Sequence, residues 1–192
     1  MPEANAEVIR FLQTRRSRPA KTLALPVPSR GEVETLLEMA ARSPDHKKLE
    51  PWRFVVLKQA ALKRLGPLAE ARYDALGLPN EKREKTCAQF NDGLLAVAVI
   101  ASPVLREDVP EVEQILSAGA VCLALLNAAL ASGWGANWLS GPMAFDREFL
   151  AQGLGLEAQE FVAGYIHIAS ETSRPPERPR PDLAALTRWI DA

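Results

Sequence analysis

Arg15-Arg16-Ser17 closes an amphipathic N-terminal stretch, so two permanent cations and a hydroxyl stand where a helix gives way to a loop. Guanidinium groups match the oxygens of a phosphate, which needs two or three such donors. The same arginines could equally do no more than complement a helix dipole at its C-terminus. A second pattern, Ser43-Pro44-Asp45-His46-Lys47, runs into Pro51-Trp52 and then the apolar Phe54-Val55-Val56-Leu57. It sets a restricted turn, an acceptor and an imidazole just ahead of a buried strand, although an isolated turn histidine commonly only caps a backbone carbonyl. Gly135-Ala136-Asn137-Trp138-Leu139-Ser140-Gly141 has glycines that a helix end followed by a strand needs anyway. The basic segment Pro176-Glu177-Arg178-Pro179-Arg180-Pro181 reads equally as a solvated extension or as an anion contact. Asp45, Asp146 and His167 form no hydrolytic set with a nucleophile, and His167, alternating with Tyr165 and Ala169 in an apolar run, reads as a satisfied core residue.

These residues need elements to hold them. Val8, Ile9, Phe11 and Leu12 share a helical face, which predicts a helix over residues 3 to 14. Ser29 with Glu32 has the spacing of a capping box, and Val33, Leu36, Leu37 and Ala40 then mark a second helix facing the core. Phe54 to Leu57 is a strand by composition. Residues 60 to 90 read as helix broken at Gly77-Leu78-Pro79-Asn80, an outer layer or lid. Leu94 to Ala101 has no polar face and predicts a central strand covered on both sides. Val112 to Ser132 is helical and apolar nearly all round, so it must be buried in the domain or against a second subunit. Asn137 to Ser140 is expected to lead to a short strand, with a surface helix around Arg147 to Gln152, a core strand at Phe161 to Ala169, and a helix at Leu183 to Ile190. The order favours an α+β domain, and without a glycine-rich strand-to-helix turn any nucleotide site here is not of the Rossmann kind.

Composition narrows the functions further. With 192 residues, 23 basic against 24 acidic side chains and 47% hydrophobic content, the chain reads as one domain with no electrostatic reason to bind nucleic acid or an acidic membrane surface. Cys87 and Cys122 lack the spacing of a disulfide framework or a metal site, which points to the cytoplasm. The apolar run Ile115 to Trp134 approaches the ~20 residues that span a bilayer, but Ser117, Asn127 and Ser132 interrupt it and favour a buried helix over a membrane span.

In their order along the chain, the arginine pair with Ser17, the Pro-His loop, the central apolar helix, the Trp-Leu-Ser-Gly turn and the basic proline-rich tail resemble the FMN-dependent nitroreductase family, in particular its short, minimal YdjA-type branch. The resemblance implies an α+β fold with a mixed sheet wrapped by helices, a single domain over residues 1 to 192, and an intertwined homodimer with FMN at the interface. It implies that Arg15, Arg16, Ser17 and, in the tail, Arg180 rather than Arg178 meet the FMN phosphate. Arg42, Ser43, Pro44 and His46 would touch the flavin of the other protomer, and Leu139, Ser140 and Gly141 would lie beside the ring. Relatives often carry an arginine where Leu139 stands, so its presence here implies a more apolar pocket. Ala129, Leu130, Ala131, Ser132, Gly133 and Trp134 would neighbour the nicotinamide. The implied activity passes hydride from NADH or NADPH to the flavin, then to a nitroaromatic, quinone or similar electron-poor acceptor, with no protein nucleophile. The alternatives are a flavin-binding storage or sensor protein without turnover, and a scaffold dimer that has lost its cofactor.

Overall fold

The computed structural model describes residues 3–190. Helix α1, Ala6–Thr14, starts where Asn5 accepts from the Val8 amide and ends at Arg15. None of its residues is buried. Strand β1, Leu23–Ala24, is too short to leave a sequence signal. Helix α2, Ala40 being its last residue, begins at Arg30 with the expected capping box between Ser29 and Glu32, and it buries Val33, Leu36 and Ala40.

Strand β2, Trp52–Lys58, leads into a helical hairpin of α3, Gln59–Ala75, and α4, Arg83–Asn91. Strand β3, Leu95–Ala101, is buried at every position, as its unbroken apolar run requires. Helix α5, Glu111–Ala131, returns the chain to β4, Gly135–Leu139. Asn137, Trp138 and Leu139 are therefore inside that strand and do not lead into it as expected.

A single α-helical turn, α6, covers Arg147–Phe149 and runs into a π-helical turn at Leu150–Leu154. It was expected on the surface, but Phe149 and Leu150 are completely buried and anchor it to the core. Strand β5, Phe161–Glu171, is the longest of the sheet. Helix α7 spans only Leu183–Leu186, against the longer helix expected to Ile190. Asp182 caps its first amides, yet Leu183, Leu186, Trp189 and Ile190 are all at least 70% exposed, so no packing extends a segment too short to be helical alone.

The sheet runs β2-β3-β5, with β4 on the edge of β5 away from β3 and β1 paired to the end of β5 at Ser170 and Glu171. Every pairing is antiparallel, not mixed as expected. The connections explain it. The α3–α4 hairpin returns the chain to the end where β2 finished, so β3 must run back beside it. The lone helix α5 leaves β3 and β4 pointing the same way, but β5 is inserted between them and separates the would-be parallel pair.

Two apolar layers cover the sheet. On one face α3, α4 and the 143–156 segment pack Leu62, Leu65, Tyr73, Phe90, Phe149 and Tyr165, so the 60–90 region is a fixed layer and not a lid. On the other, α2 and α5 pack Leu36, Val121, Leu125, Ala129, Ile166 and Ile168. Helix α5 is long and apolar enough to cross a membrane, but its Ala118, Val121, Cys122, Leu125 and Ala129 are fully buried against the sheet and α2, the position of a core helix. Burial also pushes the Cys122 thiol up to about 12, which leaves it inert.

Candidate functional site

The end of α1 gathers cations. Arg15 donates from Nη2 to Ser17 Oγ at 3.1 Å, and Arg18 pairs with Glu171 and donates to the Arg16 carbonyl at 2.8 Å. The proline-rich tail crosses back over this end: Arg180 donates to the Gln13 carbonyl at 3.0 Å. Glu177 lies 3.2 Å from Arg180 and 3.6 Å from Arg16. The structure thus brings Arg15, Arg16, Ser17 and Arg180 together. Arg178 offers only its backbone amide, to Glu177.

The cluster is short of acceptors. Arg15 Nε and Arg16 Nη1 are buried with no hydrogen-bond partner among the described residues. Burial first, then Arg16, Arg180 and Arg18, pulls the Arg15 guanidinium below its ordinary value. Buried donors without acceptors carry a desolvation cost that an anion would remove, and a phosphate presents the matching oxygens. These residues therefore fit a phosphate group on structural grounds.

A cavity of about 740 Å³ begins just after Ser17 along the chain, at Pro19, Ala20 and Lys21, and Arg15, Arg16, Ser17 and Arg180 do not line it. Helix α4, the Asp92–Gly93–Leu94 turn and the β4–β5 edge form the rest of its wall. Leu139 lines it; Ser140 and Gly141 do not. Ser140 is exposed at the strand end, and Gly141 adopts φ 137°, ψ −170°, which a side chain would strain. Leu23, Leu94, Leu95 and Ile168 make the interior largely apolar, while Glu81, Glu84, Lys85 and Asp92 stand on the α4 side.

The Pro-His loop lies elsewhere. Ser43 Oγ caps the Ala40 carbonyl at 2.9 Å, Pro44 presents its carbonyl to Ser117 Oγ at 2.8 Å, and that hydroxyl accepts from Trp52 Nε1 at 3.1 Å. His46 Nδ1 sits 2.7 Å from Glu113 Oε2 in the first turn of α5. Asp45 accepts from the Glu50 amide at 2.6 Å. Lys47, Lys48 and Glu50 hold positive φ, so the loop is strained and pinned between β2 and α5. Arg42 and His46 are exposed, and none of Arg42, Ser43, Pro44 and His46 lines the cavity of their own chain.

The stretch expected near a nicotinamide is divided. Ala129 is fully buried on the sheet-facing side of α5. Leu130 and Trp134 are partly buried against the same core, and Ala131, Ser132 and Gly133 are exposed beyond the helix end.

Two buried polar residues not expected at a site line the cavity. Gln89 and His167 are 7% and 3% exposed, and Gln89 Oε1 and His167 Nε2 have no partner among the described residues. His167 was expected to be a satisfied core residue; it is core, but not satisfied. The signal was available, since it is the one basic side chain in β5. What alternation could not show is that the end of α4 closes over the ring without bringing a hydrogen-bond partner to Nε2. Asp146, by contrast, is structural: it accepts from Arg72 Nε at 2.9 Å and from the Phe149 amide at 2.8 Å.

Comparison with known proteins gives this arrangement a context. The sequence profile of the Nitroreductase family matches residues 12–169. The chain is 31% identical over 166 residues to the Haemophilus influenzae protein named "Putative NAD(P)H nitroreductase", spanning 85% of this chain and 88% of that one. It is 28% identical over 164 residues, with the same coverage, to "Putative NAD(P)H nitroreductase YdjA" of Escherichia coli K12. Its fold matches a Desulfovibrio desulfuricans crystal structure described as a "putative nitroreductase in complex with fmn", with a TM-score of 0.74 at 19% identity, over 98% of this chain and all of that one.

Proposed function

Because this chain belongs to the nitroreductase family, we propose that it is an FMN-dependent NAD(P)H oxidoreductase that works as a homodimer. The observation that carries the reading is the arginine cluster, in which Arg15 Nε is buried without a partner and Arg16 Nη1 is buried with no hydrogen bond, only an ionic contact to Glu177 at 3.6 Å, followed along the chain by a cavity of about 740 Å³. That volume lies within the range of cofactor pockets. The names of the two relatives and the FMN in the solved neighbour support the same cofactor pair.

When bound, the flavin would supply the redox chemistry, taking hydride from NADH or NADPH and passing it to a nitroaromatic, quinone or similar acceptor. Arg15, Arg16, Ser17 and Arg180 hold the phosphate in this reading. Leu139 keeps one wall of the ring pocket apolar, and Ser140 and Gly141 border the ring at the strand end. Ala131, Ser132 and Gly133 are the accessible part of the stretch assigned to the nicotinamide.

Two unpartnered surfaces support the dimer. Val112, Leu116 and Leu123 form an exposed apolar stripe along α5, at 60%, 68% and 45% exposure. Val8, Ile9 and Leu12 leave the apolar face of α1 uncovered as well. Contiguous apolar surface of this kind marks an interface. His46 bonds to Glu113, between Val112 and Leu116, so the Pro-His loop stands at the edge of that stripe. There Arg42, Ser43, Pro44 and His46 are placed to reach a partner's flavin while remaining outside their own chain's cavity.

The deciding experiment is the visible spectrum of the purified protein. Bound oxidised flavin that bleaches on anaerobic addition of NADH or NADPH, and recovers with a nitroaromatic or quinone, is the expected result. Tight FMN with no bleaching by either nicotinamide would establish a storage or sensor protein instead.

A further inference from the structure

Gly93 turns the chain from α4 into β3 against the His167 ring. A Cβ there would lie 2.5 Å from the Gln89 main-chain carbonyl oxygen, 2.8 Å from Leu62 Cδ1 and 3.3 Å from His167 Cε1, so the missing side chain lets the end of α4, which carries Gln89, close on the imidazole. The amide of Gln89 is oriented by its own bond: Nε2 donates to the Thr86 carbonyl at 3.1 Å, which leaves Oε1 as the free atom. That atom can only accept. Burial pushes His167 down to about 4, so near pH 7 the ring is neutral and carries one N–H. The two side chains do not bond to one another, and both line the cavity.

We propose that Gln89 Oε1 and His167 Nε2 recognise a ligand edge that presents an N–H donor beside a carbonyl, and that this edge is the pyrimidine rim of the flavin. The inference rests on the flavin reading above. Its chemistry is selective among the molecules the site would meet. Nitro and quinone oxygens are acceptors, so an electron acceptor of either class leaves Gln89 Oε1 unsatisfied. A flavin pyrimidine ring offers N3–H to Gln89 and an adjacent carbonyl to His167, and its planar body suits the apolar walls made by Leu23, Leu94, Leu139 and Ile168. A nicotinamide carboxamide carries the same donor and acceptor, and is the other source of this edge.

The test uses wild-type apoprotein titrated with FMN and with N3-methyl-FMN, following quenching of flavin fluorescence. Methylation removes the donor and leaves Gln89 Oε1 buried without a partner, which should weaken binding about ten- to a hundredfold. Gln89→Leu should bind the two flavins alike. Equal affinities in the wild type, or discrimination that survives in Gln89→Leu, would overturn the proposal while leaving the flavin reading intact. Wild-type protein that binds neither flavin would overturn both. A second arm measures NAD⁺ binding to the FMN-loaded wild type and Gln89→Leu by the shift in flavin absorbance. Equal affinities are expected, whereas a loss confined to Gln89→Leu, with indifference to N3 methylation, would move the pair to the nicotinamide and refute the flavin assignment. Because Gln89→Leu removes an unsatisfied buried atom, thermal unfolding of the apoprotein should be unchanged or shifted upward.

Discussion

Truncating Arg15 to alanine should weaken FMN and leave riboflavin untouched. The side chain contributes a buried, unpartnered Nε and an Nη2 that already holds Ser17 Oγ at 3.1 Å, so its loss removes one charge-assisted donor and releases a second. A charge-assisted hydrogen bond is worth about 1.5 to 3 kcal/mol, which is roughly ten- to a hundredfold in affinity. Arg16 and Arg180 remain, so binding is reduced and not abolished. The apoprotein should respond in the opposite sense. Arg15 is held below its ordinary pKa by burial and by Arg16, Arg180 and Arg18, and removing a partly buried cation from among cations relieves repulsion. Its melting temperature should therefore be unchanged or higher. The assay is fluorescence titration of apoprotein with FMN and with riboflavin, which lacks the phosphate. Equal FMN affinities in wild type and Arg15→Ala, or an equal loss for riboflavin, would refute the phosphate assignment.

Acid should weaken the ion pair between Arg53 and the buried Glu160. Arg53 donates to both oxygens of Glu160 at 2.7 Å and holds the carboxyl down to about 2, so its contribution is present above the unfolded value of 4.5 and is lost as pH falls toward 2. Allowing for solvent at the half-exposed Arg53, this amounts to about 2 kcal/mol, and urea denaturation should show Glu160→Gln less stable than wild type at pH 6 and nearly equal to it at pH 2. Light scattering should find a dimer at micromolar concentration, and Leu116→Glu, placed on the exposed stripe of α5, should yield a folded monomer; a monomeric wild type contradicts the interface. Mixed Arg15→Ala and His46→Ala protomers should recover one intact flavin site per heterodimer, and no recovery would mean that the Pro-His loop does not serve the partner's flavin. Leu139→Arg should raise kcat/KM for carboxylate-bearing acceptors relative to neutral ones, since it places a cation in the cavity wall; an unchanged preference removes Leu139 from the pocket argument.

Local order was written in the chain wherever one element's own pattern suffices. Ser29 and Glu32 are three apart and cap α2 whatever surrounds them, and Leu95 to Ala101 admits no solvent face, so it had to be the central strand. The α+β class follows from those elements, and the order of motifs from Arg15 to Arg180 marked the family. Tertiary structure decided what depends on residues far apart in sequence. That β3 and β4, which point the same way, do not pair in parallel was settled by β5 inserting between them, and the fate of 183–190 by the exposure of its apolar residues. Ala129 and Ala131 look alike in sequence, yet one faces the sheet and the other solvent because the sheet lies on one side of α5 only. His167 is the clearest case. Alternation along β5 buries it, but whether its Nε2 finds a partner depends on where α4, held through Gly93, stops; that distance belongs to the fold, and no local pattern encodes it.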